Sequence, residues 1–117
     1  AGDIVQIERV RQVARRQVAA MVASEGLDVL VSPTTGYGAA PFTGGGTEAL
    51  SIRALHTPAW NSMGWPALSV PMGFDPDGLP LGLQIIGRAF ADGMVLAVGH
   101  AYQQLTDWHL QKPPHHA

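Results

Sequence analysis

Two short apolar runs constrain this chain more than anything else in it. The first is Asn61-Ser62-Met63-Gly64-Trp65-Pro66-Ala67-Leu68-Ser69-Val70-Pro71-Met72-Gly73. The second is Gly78-Leu79-Pro80-Leu81-Gly82-Leu83-Gln84-Ile85-Ile86-Gly87. Gly and Pro bound each run, the pattern of short, largely buried strands. Asp75-Pro76-Asp77-Gly78 separates them. Pro presets φ for a turn, Asp bonds its own backbone, and Gly accepts φ > 0. The runs are therefore expected to form a hairpin or two neighbouring strands. Alternation puts Leu68, Val70 and Met72 on one face of the first, with Ala67 and Ser69 opposite. It puts Leu81, Leu83 and Ile85 on one face of the second, with Gly82 and Gln84 opposite. Large residues fill a core, and small ones let another element come close.

Around this pair the chain alternates helical and extended patterns. Asp3 to Glu25 predicts a helix capped by Asp3, with an apolar stripe of Ile7, Val10, Ala14, Val18, Met21 and Val22. Gly26 sits where a left-handed C-cap belongs. Arg9, Arg11, Arg15 and Arg16 fall mostly off the stripe and read as a solvated face. Val29, Leu30 and Val31 are apolar without alternation, which predicts a strand buried on both faces and parallel to a neighbour. Ser32-Pro33 ends it. Residues 35 to 50 read as loop. Ser51 to Trp60 predicts a short helix capped by Ser51 and broken at Pro58 near Thr57. A last helix, capped by Asp92, is expected to reach about Thr106, with Val95, Val98, Tyr102 and Leu105 inward. Gly99 is explained there by close packing. Pro113 and Pro114 stop regular structure. The expected class is α/β, a mixed sheet with flanking helices, in a single segment spanning residues 1–117.

Composition excludes several function classes. Of 117 residues, 46% are hydrophobic and only 14% charged, a ratio suited to a piece packed against something larger. The net charge of −2 implies neither a basic nor an acidic partner, so no nucleic acid is expected. There is no Cys, hence no disulfide, thiolate nucleophile or Cys-held metal. His115 and His116 are adjacent and terminal, without the i, i+4 spacing that grips zinc. No metal and no cofactor are expected. No apolar run reaches the roughly 18 residues of a membrane span. The first residues show no basic-then-apolar signal, so the default expectation is cytoplasmic. Gly44-Gly45-Gly46-Thr47-Glu48 lacks the Lys of a phosphate loop and carries a carboxylate where phosphate charge would sit.

The two central runs resemble the C-terminal part of the amidase signature family. Asp28-Val29-Leu30-Val31-Ser32-Pro33-Thr34-Thr35 is similar to that family's preceding strand and Pro-Thr exit, and Trp108-His109 before Pro113-Pro114 to its usual ending. The resemblance spans about Asp3 to Pro114. It implies hydrolysis of an amide C–N bond by a Ser-Ser-Lys triad. That triad is not in these residues. The single lysine, Lys112, stands beside the terminal prolines, where nothing would desolvate it or hold it as a base. The serines Ser24, Ser32, Ser51, Ser62 and Ser69 form no pair and no elbow. A Ser-His-Asp set from His56, His100 or His109 with Asp28 or Asp92 has no local signature.

The resemblance therefore implies a triad upstream of this chain, and an upstream part of the same enzyme as its partner. This chain, inactive alone, would supply core strands and part of the wall that holds a small-molecule amide substrate. Tyr37, Trp60 and Thr57 are the candidate pocket residues. Asn61 and Gln84 are expected to be structural: Asn61 tying the turn into the strand, Gln84 hydrogen-bonded wherever it is buried. Isolated, the chain is expected to self-associate. Two alternatives stand beside this: a non-catalytic interaction or scaffold module, and a segment of a glutamyl-tRNA amidotransferase subunit. In the latter an acidic residue precedes the equivalent of Asn61 by seven positions. Here Ala54 stands there, which argues for a general hydrolase.

Overall fold

The computed structural model describes residues 2–39 and 56–113. Helix α1 (Gly2–Ser24) leads to strand β1 (Val29–Pro33). Helix α2 (Pro58–Met63), strands β2 (Ala67–Phe74) and β3 (Pro80–Gly87), and helix α3 (Asp92–Leu105) follow, with a 3₁₀ turn at Trp108–Leu110. The sheet order is β1-β3-β2. Both pairings are antiparallel.

The central hairpin forms as its sequence dictates. Asp75 Oδ1 accepts the backbone N–H groups of Asp77 at 3.0 Å and Leu79 at 2.8 Å, and Gly78 takes φ +79°. The register slips between Pro71 and Gly73, so Met72 is an extra residue and β2 bulges there. The helix ends also follow sequence logic. Gly26 adopts φ +65°. The N–H of Leu27 bonds Val22 O and that of Gly26 bonds Ala23 O, closing α1 in a Schellman motif.

The sheet is covered on both sides. On one side α3 lays Val95 on Val70 and Ile85, with Val29, Leu68, Leu83, Val98 and Tyr102 around them. On the other, Val22 of α1 meets Trp65 and Ile86, with Val18, Leu27, Leu30, Trp60 and Met63 packed against them. Ile85 and Ile86 are neighbours on β3, yet each is only 1% exposed. The middle strand thus anchors a core on each face. Gly99 shows why α3 approaches so closely: a Cβ there would stand 2.5 Å from Leu68 Cδ2.

Several expectations are corrected. β1 is not a parallel strand buried on both faces. It is an antiparallel edge strand, and Val31 is 61% exposed because α3 does not reach that edge. An apolar run without alternation followed the need to fill one face at Val29 and the other at Leu30. Pro58 is the first residue of α2, a position that needs no N–H donor. The part of that expected helix at 51–55 lies outside the described residues, as do the glycine run and His115-His116. Asp3 and Asp92 sit inside the first turns of α1 and α3 rather than at the caps, and Ala91 is the N-cap of α3. Of the α1 stripe, Val22 is buried and Ala14 and Val18 half-buried, while Ile7, Val10 and Met21 are exposed. The inward line includes the half-buried Arg11 and Arg15 instead, and Arg15 Nη2 donates to Ser62 O at 3.1 Å. Leu105 is exposed at the end of α3.

Candidate functional site

One row of polar side chains crosses the sheet on the α1–α2 side. Register aligns it: Ser32 of β1 and Ser69 of β2 both stand opposite Gln84 of β3. Gln84 is only 2% exposed, the one polar residue so buried among the described residues. Its amide nitrogen donates to Ser32 Oγ at 3.0 Å and to the His56 carbonyl at 3.2 Å. Burying an amide without partners would cost a few kcal/mol, so these bonds are what allow Gln84 to occupy a core strand.

Next to it lies a second polar contact. Thr34 Oγ1 and Ser69 Oγ are 2.6 Å apart, a hydroxyl bridge from the end of β1 to β2 across the central strand. Gly82 makes the bridge possible. A Cβ at that position would stand 2.7 Å from Ser69 Oγ and 2.8 Å from Thr34 Oγ1, closer than side chains tolerate. The Thr34 N–H donates to Gly82 O, and the His56 N–H donates to Thr34 O at 3.4 Å. The chain returning at His56 is therefore fixed against the exit of β1, and α2 begins two residues later.

The expected pocket residues are not gathered into one contact. Trp60 packs in the core, its ring stacked on Trp65 at 6.0 Å and 28°. Thr57 is the half-buried N-cap of α2, with no side-chain bond to the helix. Tyr37 lies beyond the β1 exit, its carbonyl accepting from Thr35 Oγ1. The loop there runs to the hairpin turn, where Gly38 lies against Asp75. Asn61 does not tie the entry to β2 with its side chain. It sits inside α2, and its carbonyl accepts the N–H of Gly64, whose φ of +67° ends the helix. An open groove of about 720 Å³ lies elsewhere, at the hairpin end, lined by Phe74, Leu79, Pro80, Trp108 and Lys112 among others.

The chemistry of this row is hydrogen bonding without a base. Ser24 Oγ donates to Met21 O and Ser32 Oγ to Pro33 O, while Ser69 meets Thr34. His56, His100 and His109 are exposed on separate elements. Nothing among the described residues pairs a serine hydroxyl with a proton acceptor strong enough to activate it. No three His, Asp or Glu side chains gather among them either. The row has a signal in the sequence. Ser32, Ser69 and Gln84 each interrupt an apolar strand, and an antiparallel register for β1 would have lined them up.

Fold and site describe a two-faced α/β segment crossed by a row of hydrogen-bonded polar side chains, with no nucleophile–base pair among its described residues. The chain belongs to the amidase family, whose model, described as Amidase, matches residues 4–96. A glutamyl-tRNA(Gln) amidotransferase subunit of Rippkaea orientalis is 44% identical over 97 residues, which cover 79% of this chain and 20% of that protein. The subunit of the same description from a Synechococcus species is 42% identical over 113 residues, covering 93% and 23%. Among solved structures, the peptide amidase of Stenotrophomonas maltophilia superposes with a TM-score of 0.67 at 36% identity, over 92% of this chain and 21% of that one. The corresponding glutamyl-tRNA(Gln) amidotransferase subunit of Thermotoga maritima gives 0.68 at 27%, over 91% and 24%. The chain thus spans about a fifth to a quarter of the length of the relatives it matches. No described helix is long and apolar enough to cross a membrane.

Proposed function

We propose that this chain is the C-terminal segment of an amidase-type hydrolase, one that cleaves amide C–N bonds with a Ser-Ser-Lys triad carried upstream. The observation that carries the reading is the pairing of a family match over residues 4–96 with a site that has hydroxyls and an amide but no base among the described residues. Its role is to supply the core strands and part of the wall of the substrate site, with Tyr37, Thr57 and Trp60 as wall residues. The partner is the upstream part of the same enzyme, and the substrate is a small-molecule amide.

The test is an assay of the 117-residue chain on aryl and aliphatic amides, with a serine-directed fluorophosphonate as probe. The chain alone is expected to show neither turnover nor labelling. Together with the polypeptide encoded upstream of it, both should appear, with label on the upstream part. Labelling of any serine of this chain would overturn the proposal.

A second reading has its own support. Relatives 42% and 44% identical are amidotransferase subunits, so the same segment could serve a glutamine-dependent transamidase. Against it stands Ala54, where that reading calls for a carboxylate to hold the glutamine. Ala54 lies outside the described residues. Glutaminase activity of the assembled protein exceeding its turnover of simple amides would favour the transamidase.

A further inference from the structure

We infer that Gln84 is a positioning residue, which sets the start of α2, and with it the Thr57–Trp60 wall, against the sheet through the backbone of His56. The inference rests on the amidase reading above for its consequence in catalysis, but not for its geometry. Both polar groups of the His56 backbone are engaged, one at the exit of β1 and one by β3. Its N–H donates to Thr34 O at 3.4 Å, and its C=O accepts Gln84 Nε2 at 3.2 Å. The first of these is long, so the Gln84 bond is the firmer tie. The next residue, Thr57, is the N-cap of α2, and Pro58 opens the helix. The Thr57 carbonyl accepts the N–H of Asn61 at 3.1 Å, the first backbone bond of α2. One side chain thus holds the peptide from which the helix starts.

Gln84 is an expensive way merely to fill space. It occupies the middle strand at 2% exposure, between Gly82 and Ile86 on the same face. An apolar residue of that length would pack there without needing two acceptors. What it could not do is reach a carbonyl on another segment. Gln84 bonds two partners for one donor group: Ser32 within the sheet and His56 outside it. The Ser32 bond ties strands that the β1–β3 ladder already ties. The His56 bond is the side-chain hydrogen bond that links the sheet to the start of α2.

Three variants separate positioning from plain stability. Gln84→Met keeps the length and removes the donor. Gln84→Glu keeps the shape and turns the donor into an acceptor facing a carbonyl. Ser32→Ala removes the redundant partner and leaves His56 held. In the assembled enzyme on an aryl amide, both Gln84 variants should raise KM by about tenfold, with kcat within about twofold, because a displaced wall weakens substrate binding before it touches chemistry. Ser32→Ala should leave KM near wild type. In the same assembly, amide exchange at Asn61 should rise about tenfold in Gln84→Met relative to Ile85, and stay unchanged in Ser32→Ala. Equal relative exchange at Asn61 in wild type and Gln84→Met would overturn the inference. So would KM values in the Gln84 variants that match wild type or match Ser32→Ala. If the wild-type assembly turns over no amide, the amidase reading falls, and the exchange experiment alone decides the positioning role.

Discussion

Gly87→Ala should destabilise the sheet, while Gly99→Ala, the same substitution a few turns away, should leave it almost unchanged. Both glycines face the cluster under α3, and both are crowded. At Gly87 a new Cβ would stand 2.5 Å from Val95 Cγ2, 3.3 Å from the Ala91 carbonyl oxygen and 3.5 Å from Pro66 Cγ. Val95 is 3% exposed, and a β-branched side chain in a helix has essentially one rotamer. The carbonyl is backbone at the N-terminus of α3. Nothing there yields, so the helix must shift, and overpacking of this kind costs about 2 kcal/mol. At Gly99 the Cβ would meet Leu68 Cδ2 at 2.5 Å, with Ile85 Cδ1 and Val70 Cγ1 no closer than 3.8 Å. Leu68 is half-buried, and its terminal methyl turns away for about 1 kcal/mol. Replacing Gly by Ala inside a helix returns about 1 kcal/mol. The two terms cancel. Native-state exchange at the Ile85 and Ile86 amides reads the stability of the sheet directly. Gly87→Ala should accelerate it about thirtyfold, and Gly99→Ala should change it by less than about threefold. Similar acceleration in both variants would refute the reasoning, since it would show that the rigidity of the neighbour does not decide the cost.

Asp75→Ala removes the acceptor of the Asp77 and Leu79 amides and should cost about 1 kcal/mol; carbon chemical shifts at Gly78 and Leu79 moving to coil values would check the local cause. Gly26→Ala forces an L side chain to φ +65° and should cost about 1 kcal/mol, read as loss of helical ellipticity at the end of α1 and faster exchange at Leu27. The isolated chain should self-associate through the edge of β1 that no described strand pairs, where Val31 is exposed, and through Ile4, Ile7, Val10 and Val13 along α1. Sedimentation at low concentration tests this, and a compact monomer that unfolds cooperatively would refute it.

The parts of the fold that were legible in the sequence are those fixed by neighbours in the chain. The Asp75-Pro76-Asp77-Gly78 turn carries its own hydrogen-bond acceptor and its own φ > 0 residue, so the hairpin follows without reference to anything distant. Gly26 is legible for the same reason. The faces of β3, and of β2 up to the bulge at Met72, follow from alternation, because a side chain cannot change sides without a register slip. What alternation does not specify is the partner across the strand. Val29-Leu30-Val31 reads identically whether it pairs parallel or antiparallel, and direction was settled by pairing with Gly87, Ile86 and Ile85. The α1 stripe misled because its period identifies an apolar face without saying which part of the helix has something to bury it. Only the C-terminal half lies over Trp65 and Ile86.

The polar row follows from that same limitation. Gln84 was recognisable as a residue needing partners, since a buried amide among apolar strand neighbours requires them. Its partners were not, because they come from 52 and 28 residues away, Ser32 and the His56 carbonyl. The carbonyl leaves no trace in sequence at all, since every residue has one. Gly82 is the instructive case between these extremes. Its smallness is visible in the sequence and reads as room for another element to approach. The room is filled by two hydroxyls, Thr34 and Ser69, from strands on either side. A glycine marks where something comes close. Which chemistry comes close is decided by register, and register across an edge strand was the one quantity the local pattern did not carry.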